Sequence, residues 1–536
     1  MKKSLSVIWY GNNEGMYRGW WDMAMLEYFF RDATHYEGMQ QLEQGEGAVV
    51  IIPGRALAGK ELQVQKDVNL LPWCVLIVAG DEEGIFDSSK IVHPSMFVWI
   101  QNPIPNKNDT GRRIGCGYTP HVGAYDSEVP SKNLDFFFAG QITHSRRLEM
   151  AQSIQDKTGG LLYPTTGFTK GMPQKEYCGT LARAKVVPCP SGPQTPDTFR
   201  IYEALEFGAI PIADEATPKE DWAGFWTWLF GDSVPFPVLT NYSDLPGYID
   251  DCVTQYPKLN NRVQAWWQRY KVDLQNRFFD DIALLSNNEA QDTITVVIPV
   301  SPIPSHPSTD IIEETIKSIR YHLPESEIIV TFDGVRQEQE HMRESYEEHI
   351  RCFLWKCRKW GKVTPYIFDE HKHQSGMMRF VIDTIKTPLI MYVEQDTPIV
   401  TDEPIDWDLI KKALLSGRSN TIRLHHEGVI PQEHLELIIG KPEDHLLKTV
   451  QWSQRPHISS TAFYRRIMAE EFTKNSKCFI EDLMHGRVMQ AFNNDGEQGW
   501  NQWRLHIYFP DKKNIKRSYH NDGRQGGEKY DTNQKW

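Results

Sequence analysis

The sequence predicts an α/β protein built on parallel sheets, and three observations carry that reading. Short apolar runs recur through the first 285 residues, and they are near-continuous rather than alternating. Strands buried on both faces of a parallel sheet show that pattern. Several runs end in Gly or Pro: Gly11, Pro53-Gly54, Gly80 and Gly140. Turns at the carboxyl ends of strands are where open α/β sheets hold their ligands. Finally, the polar stretch 286–292 is followed by a fresh apolar run, TITVVIPV, from Thr293. A restart on a strand after a polar linker marks a domain boundary.

Taken in order, strands are expected over 5–10, 48–52, 75–79, 97–100, 134–139, 185–189 and 209–213. Seven strands over this length make two doubly wound units, 1–125 and 126–285, parted between Pro103 and Ser131. A third unit covers 293–536. After its first strand, Ile311, Ile312, Thr315, Ile316 and Ile319 fall on one helical face. Strands then follow over 327–332, ending in Asp333-Gly334, and over 389–393, ending in Glu394-Gln395-Asp396. There is no internal repeat. The tail after Pro510 is polar and rich in basic residues, and its His and aromatic content argues for partial ordering over a site.

Composition bounds the function. The chain has 536 residues, 40% hydrophobic and 24% charged. Those values exclude a disordered, collagenous or coiled-coil protein. The net charge is −13 and neither half is basic, so bulk attraction to nucleic acid or anionic lipid is not expected. A local basic groove stays open: Arg112-Arg113, Arg146-Arg147 and 512–517 are the basic clusters. The opening MKKSLSVIWYGNNEG turns polar by Asn12, too soon for a signal-peptide core. No run reaches the roughly 18 apolar residues of a membrane-spanning helix. The eight cysteines are scattered, with only Cys352 and Cys357 close together, so reduced thiols are expected. These features fit the cytoplasm of a bacterium or of a virus-infected host cell.

The segment PCPSGPQTPDTFRIYEALEFGAIPI carries the first chemical signal. Asp197 or Thr198 caps a helix whose first turn holds Arg200, and Gly208 ends it. Arg200 and Glu203 share a face near the positive helix end. That end and an arginine fork suit a diphosphate, and a carboxylate one turn on suits ribose hydroxyls. An ordinary amphipathic helix with an internal Arg/Glu pair has the same spacing. R-x-x-E-A-L-x-x-G-x-x-P after P-x-P-S-G resembles the nucleotide-sugar motif of GT-B glycosyltransferases, closest to the exostosin-type group. The strand FFFAGQITHSRR is similar to the one that opens their donor half. The resemblance implies that Arg200 binds diphosphate, that Glu203 binds ribose, and that Gly140 with Arg146 or Arg147 borders the phosphates. The first unit becomes the acceptor half, with GNNEGMYRGWWD along the cleft. Glu14, Asp22 and His121 are candidates for a base there.

The third unit, read through TVVIPVSPIPS, SEIIVTFDGVR and HQSGMMRFVIDTIKTPLIMYVEQDTPI, resembles GT-A glycosyltransferases of the family-2-like class. The resemblance implies a base or ribose contact from Asp333 with Arg336 beside it, a diphosphate contact from Arg379, and an E-x-D variant of the metal motif at Glu394 and Asp396. A leaving nucleoside diphosphate carries negative charge that Mn²⁺ or Mg²⁺ neutralises. Asp396 is the expected ligand, and His520, in RSYHNDGR, completes the shell. The Glu481-Asp482 pair of CFIEDLMHG resembles the one that supplies the catalytic base. The competing reading is a pair of helix N-terminal acids favoured by the dipole. His425, His426, Glu427, Trp452, Arg455 and His457 are candidates for an acceptor pocket. Most of the 17 tryptophans read as core, with 20–21, 222/226/228 and 266–267 as weak sugar-stacking candidates.

Both resemblances together imply a bifunctional transferase that uses nucleotide-sugar donors, UDP-sugars first among them. A bacterial surface polysaccharide or a viral glycan is the expected acceptor. Two alternatives stay open. One module acts only in binding, or the acceptor is a hydroxymethylated DNA base.

Overall fold

The computed structural model describes residues 5–10, 23–39, 45–107, 110–167, 171–286, 294–425, 430–510 and 515–521. The chain forms two compact units, Met1–Glu289 and Ala290–Trp536.

The first unit holds two sheets. One comprises β1 (Ser6–Trp9), β2 (Thr34–Tyr36), β3 (Ala48–Pro53), β4 (Cys74–Ala79), β5 (Met96–Gln101) and β6 (Arg113–Ile114). Its order is β2-β1-β3-β4-β5-β6, and every pairing is parallel. The other comprises β7 (Leu134–Gln141), β8 (Leu161–Thr165), β9 (Ala184–Cys189), β10 (Ile210–Asp214) and β11 (Val238–Leu239). Its order is β11-β10-β9-β7-β8, again all parallel. The α/β expectation with Rossmann-type parallel sheets therefore holds. All seven expected strands form. The four not anticipated, β2, β6, β8 and β11, are the four sheet edges. Two of them have only two residues and β8 is partly exposed, so none carries a continuous apolar run.

The helix α1 (Lys258–Ser286) ties the two sheets together. Near one end, Gln264 donates to the carbonyl of Ala209 beside β10. Lys271 and Trp267 both donate to Glu206, an ion pair buried on both sides. Near the other end, Phe278 packs on Trp99 of β5 with ring centroids 4.1 Å apart. Asp281 accepts from Trp99 Nε1 at 2.9 Å and from Arg112 Nε at 2.6 Å. One rigid element thus holds both walls of the cleft described below.

The tryptophans behave mostly as core. Trp226 and Trp267 are buried, and Trp222, Trp228 and Trp266 join them among Phe225, Phe230 and Tyr270. Trp20, Trp21, Glu14 and Asp22 lie outside the described residues. All eight cysteines are free thiols.

The second unit has one nine-stranded sheet. Its strands are β12 (Ile294–Val300), β13 (Ile328–Phe332), β14 (Val363–Ile367), β15 (Leu389–Tyr392), β16 (Thr421–Leu424), β17 (Ile438–Glu443), β18 (Leu446–Thr449), β19 (His457–Ser460) and β20 (Leu505–Tyr508). The order is β14-β13-β12-β15-β19-β16-β20-β18-β17. The first four strands are parallel, and β19 runs antiparallel between β15 and β16. The expected helix spans Asp310–His322 and buries Ile312, Thr315, Ile316 and Ile319. Among the described residues no helix is long and apolar enough to cross a membrane.

Candidate functional sites

In the first unit a cleft of about 570 Å³ opens at the carboxyl ends of β7 and β9. Helix α2 (Phe199–Glu206) enters its wall, with Thr198 in extended geometry at the N-cap and Gly208 in the left-handed region (φ +63°) just past its end. The wall carries Gly140, Arg147, Tyr177, Asp197, Arg200 and Glu203. Cys116, Thr119 and His121 face them from the segment that follows the first sheet.

Arg200 lies 4.5 Å over the Phe138 ring, and its Nη1 donates to Tyr177 Oη at 3.3 Å. Tyr177 in turn donates to Glu203 Oε2 at 2.5 Å, and Thr119 donates to Oε1 at 3.3 Å. Burial, reinforced by Glu203, pushes the Tyr177 phenol well above its ordinary pKa, so it stays a donor. Arg147 donates to the carbonyl of Gln141. Burial, with Arg200 nearby, pulls its guanidinium down to about 10. Among the described residues neither Arg147 nor Arg200 forms an ion pair. The Arg147 Nε is buried with no partner among the described residues. Two guanidiniums in one cleft, neither tied in an ion pair, form a site for an anion, with the Glu203 carboxylate close to Arg200.

Gly140 is required by this arrangement. A Cβ there would sit 2.5 Å from Arg200 Nη2. Gly140→Ala is expected to swing Arg200 aside and weaken binding of an anion such as UDP about tenfold with the fold intact. Calorimetric titration with circular dichroism checks both halves of that statement.

Arg146, the neighbour of Arg147, does not line the cleft. Its Nε and Nη2 donate to Asp214 at 3.0 and 2.6 Å, and Asp214 is fully buried. The sequence reading that admitted Arg146 at the phosphates gives way to a structural ion pair. Arg146→Met strands the Asp214 carboxylate and is expected to cost about 3 kcal/mol, read by urea unfolding, while nucleotide affinity is unchanged. The other basic pair is also spent internally: Arg112 binds Asp281, and Arg113 donates to the Trp228 carbonyl and lies over that ring.

Asp197 has a role that its reading as a helix cap missed. Its side chain makes no capping bond; it accepts from the backbone N–H of Cys116 at 2.8 Å and from Tyr202 Oη at 2.9 Å. Burial lifts its carboxyl to about 6.

In the second unit the carboxyl end of β15 gathers acids. Asp396 is buried, and His520 Nδ1 lies 4.0 Å from its Oδ1. The segment 515–521 brings His520 there: Ser518 bridges to Ile399, Arg517 N–H donates to the His425 carbonyl, and Asn521 N–H donates to the Asp396 carbonyl. Glu394 accepts from Gln374 Nε2 at 2.8 Å, and its carboxyl is pushed up to about 8 by burial and then by Asp396. Gln374 and Gln454 bond reciprocally, and Glu481 Oε2 accepts from the Gln454 N–H. Glu481 therefore faces Glu394, whereas Asp482 is exposed.

Other expected residues are placed differently. Asp333 is buried, and its carboxylate accepts the N–H groups of Gly334, Lys372 and His373 and lies 2.7 Å from His371 Nδ1. It shapes its own loop before it meets any ligand. Arg336 is exposed beside it. Arg379 does not reach a diphosphate position; it donates to the carbonyls of Met468 and Phe472, at the end of another helix. Trp452 and His457 are core residues rather than pocket walls, with His457 stacked against Tyr392 and Tyr464. His425 is buried as well, Arg455 gives its carbonyl to His457, and His426 and Glu427 lie outside the described residues.

Among the described residues no group of three or more His, Cys, Asp or Glu side chains is arranged to hold a metal. Asp396 and His520 nevertheless stand at a spacing that suits two ligands of one divalent cation.

Residues 169–285 match the family model described as the RXYLT1 C-terminal domain. No curated protein matches the chain. Among solved structures, S. aureus TarS 1-349 is 14% identical over 43% of this chain and 60% of that one, with a TM-score of 0.27. The same protein in complex with UDP-GlcNAc gives 14% over 42% and 58%, with a TM-score of 0.26. A cytidylyltransferase from Leptospira borgpetersenii gives 11% over 42% and 78%, with a TM-score of 0.25. The chain spans 60% of the length of the first of these TarS structures. The span similar to the RXYLT1 C-terminal domain holds Asp197, Arg200, Glu203 and the helix that braces their cleft.

Proposed function

We propose that the chain is a glycosyltransferase with two donor sites, a GT-B-like one in the first unit and a metal-dependent GT-A-like one in the second. The observation that carries it is the Arg147 and Arg200 pair, which lines a cleft at strand carboxyl ends with neither guanidinium tied in an ion pair. The similarity of 169–285 to a xylosyltransferase-like domain supports the same reading. In the first unit Arg147 and Arg200 meet the diphosphate, Gly140 lets Arg200 pass, and Glu203 accepts from the ribose hydroxyls. Tyr177 fixes both Arg200 and Glu203. Meeting charge that grows on the leaving diphosphate stabilises the transition state more than the ground state.

In the second unit Asp396 and His520 would hold Mn²⁺ or Mg²⁺, which when bound supplies charge neutralisation to the leaving group. Glu481, held by the Gln454 N–H, is the base proposed for the acceptor hydroxyl; Asp482 is too exposed to share its network. Asp333 and Arg336 border the nucleoside. A glycan is the proposed acceptor, the UDP-sugars are the proposed donors, and the cytoplasm is the proposed location.

Thermal unfolding with a panel of UDP-sugars, with and without Mn²⁺, tests this. At least one donor is expected to raise a melting transition by a few degrees at saturating concentration. No shift with any nucleotide sugar contradicts it.

A further inference from the structure

We infer that Asp197 is the general base of the first unit, taking the proton of the acceptor hydroxyl as that oxygen attacks the sugar. The inference rests on the donor site proposed above and adds the group that site lacks. Asp197 lines the same cleft as Arg200, three residues before it and just ahead of the helix that carries it. Its two oxygens are held by donors from two different elements. The Cys116 N–H comes from the segment after the first sheet, and the Tyr202 hydroxyl comes from inside α2.

The surroundings are shaped around these contacts. Tyr202 is fully buried, so its hydroxyl serves the carboxyl rather than solvent. A Cβ on Gly115 would lie 1.7 Å from Tyr202 Oη, so only glycine lets the hydroxyl reach. A Cβ on Gly192 would lie 3.0 Å from the Asp197 carbonyl, so the loop wraps the residue closely. A carboxylate has about four acceptor positions. These two bonds, with the Cys116 thiol as a third donor, leave one position for a substrate hydroxyl. Two rivals along the cleft are less well placed: Glu82 is exposed, and His121 sits on a single helical turn.

The step balances without a further reagent. The acceptor O–H proton passes to Asp197 while the acceptor oxygen bonds to the anomeric carbon. The bond from that carbon to the phosphate oxygen breaks, and its electron pair leaves with the diphosphate, beside Arg147 and Arg200. The anomeric configuration inverts.

The test uses the full chain carrying Asp396→Asn, which silences the second unit, with UDP-xylose and UDP-GlcNAc as donors and water as acceptor. Asp197→Asn is expected to lower kcat for UDP release at least 100-fold. The affinity for UDP, measured by calorimetry, should stay within about threefold. In the parent protein kcat should fall as pH drops through about 6, where the base becomes protonated. Glu82, Cys116, Tyr202 and Tyr270 face that carboxyl, and Arg200 and Glu203 follow it on the next helix. Tyr202→Phe removes a donor to the ionised form and should move the acid limb to higher pH, which a merely structural residue would not do. If Asp197→Asn does not fold, this limb, its shift and the inverted sugar product decide. Turnover within threefold of the parent, or a retained anomer, overturns the inference. Absence of both UDP binding and UDP release in the parent overturns the donor site itself.

Discussion

Arg200→Ala is expected to lower kcat/KM of the first unit for its nucleotide sugar by about 10³-fold. Three losses combine. In the proposed site the guanidinium is one of two cations that would meet the diphosphate, and Arg147 alone would leave part of that charge unanswered. Arg200 also holds Tyr177, which donates to Glu203, so the ribose contact loosens. The third loss is electrostatic: Glu203 and Asp197 remain in the cleft and repel an anion once the nearest positive charge is gone. Arg200→Lys should recover only a fraction, because an ammonium cannot match the flat fork stacked on Phe138. Initial rates of UDP release across donor concentrations check this, with the second unit silenced by Asp396→Asn. A change under threefold would mean that the cleft does not bind the diphosphate.

Asp396→Asn is expected to lower metal-stimulated transfer by the second unit by about 10³-fold and to abolish the melting shift that Mn²⁺ produces. Asp396 is buried, and beside it His520 arrives from the far end of the chain. A neutral amide keeps the size of the side chain and removes the charge that a cation needs. His520→Ala should cost less, about tenfold, because water can take a histidine's place in the shell. Metal-dependent rates with EDTA controls read both values. Equal rates with and without metal in the parent would remove the cation from the account.

Much of the architecture was legible because buried parallel strands announce themselves. The strands β1, β3, β4, β5, β7, β9 and β10 are runs with apolar residues on both faces. The edges β2 and β11 are too short to leave a pattern, and β17 is largely exposed. Within the first cleft, Gly140, Arg200 and Glu203 were legible because each sits on a strand end or helix turn whose geometry is local. Arg146 and Arg147 were not separable. Adjacent helical residues point about 100° apart, and what claims Arg146 is Asp214, far along the chain on β10. The same holds for Glu481 and Asp482, since Gln454 decides which one turns inward. Arg379 is on a helix as expected, but carbonyls near Phe472 take its donors. Asp197 reads as a cap in sequence because its real partner, the Cys116 N–H, belongs to a distant segment.

The most direct test is the number of nucleotide sites and what removes each one. Calorimetric titration of the full chain with UDP in the presence of Mn²⁺ should show two sites. Arg200→Ala should abolish one and leave the other metal-dependent. Asp396→Asn should abolish the metal-dependent site alone, and the double variant should bind nothing. A single site, or two sites that survive both substitutions, would contradict the account.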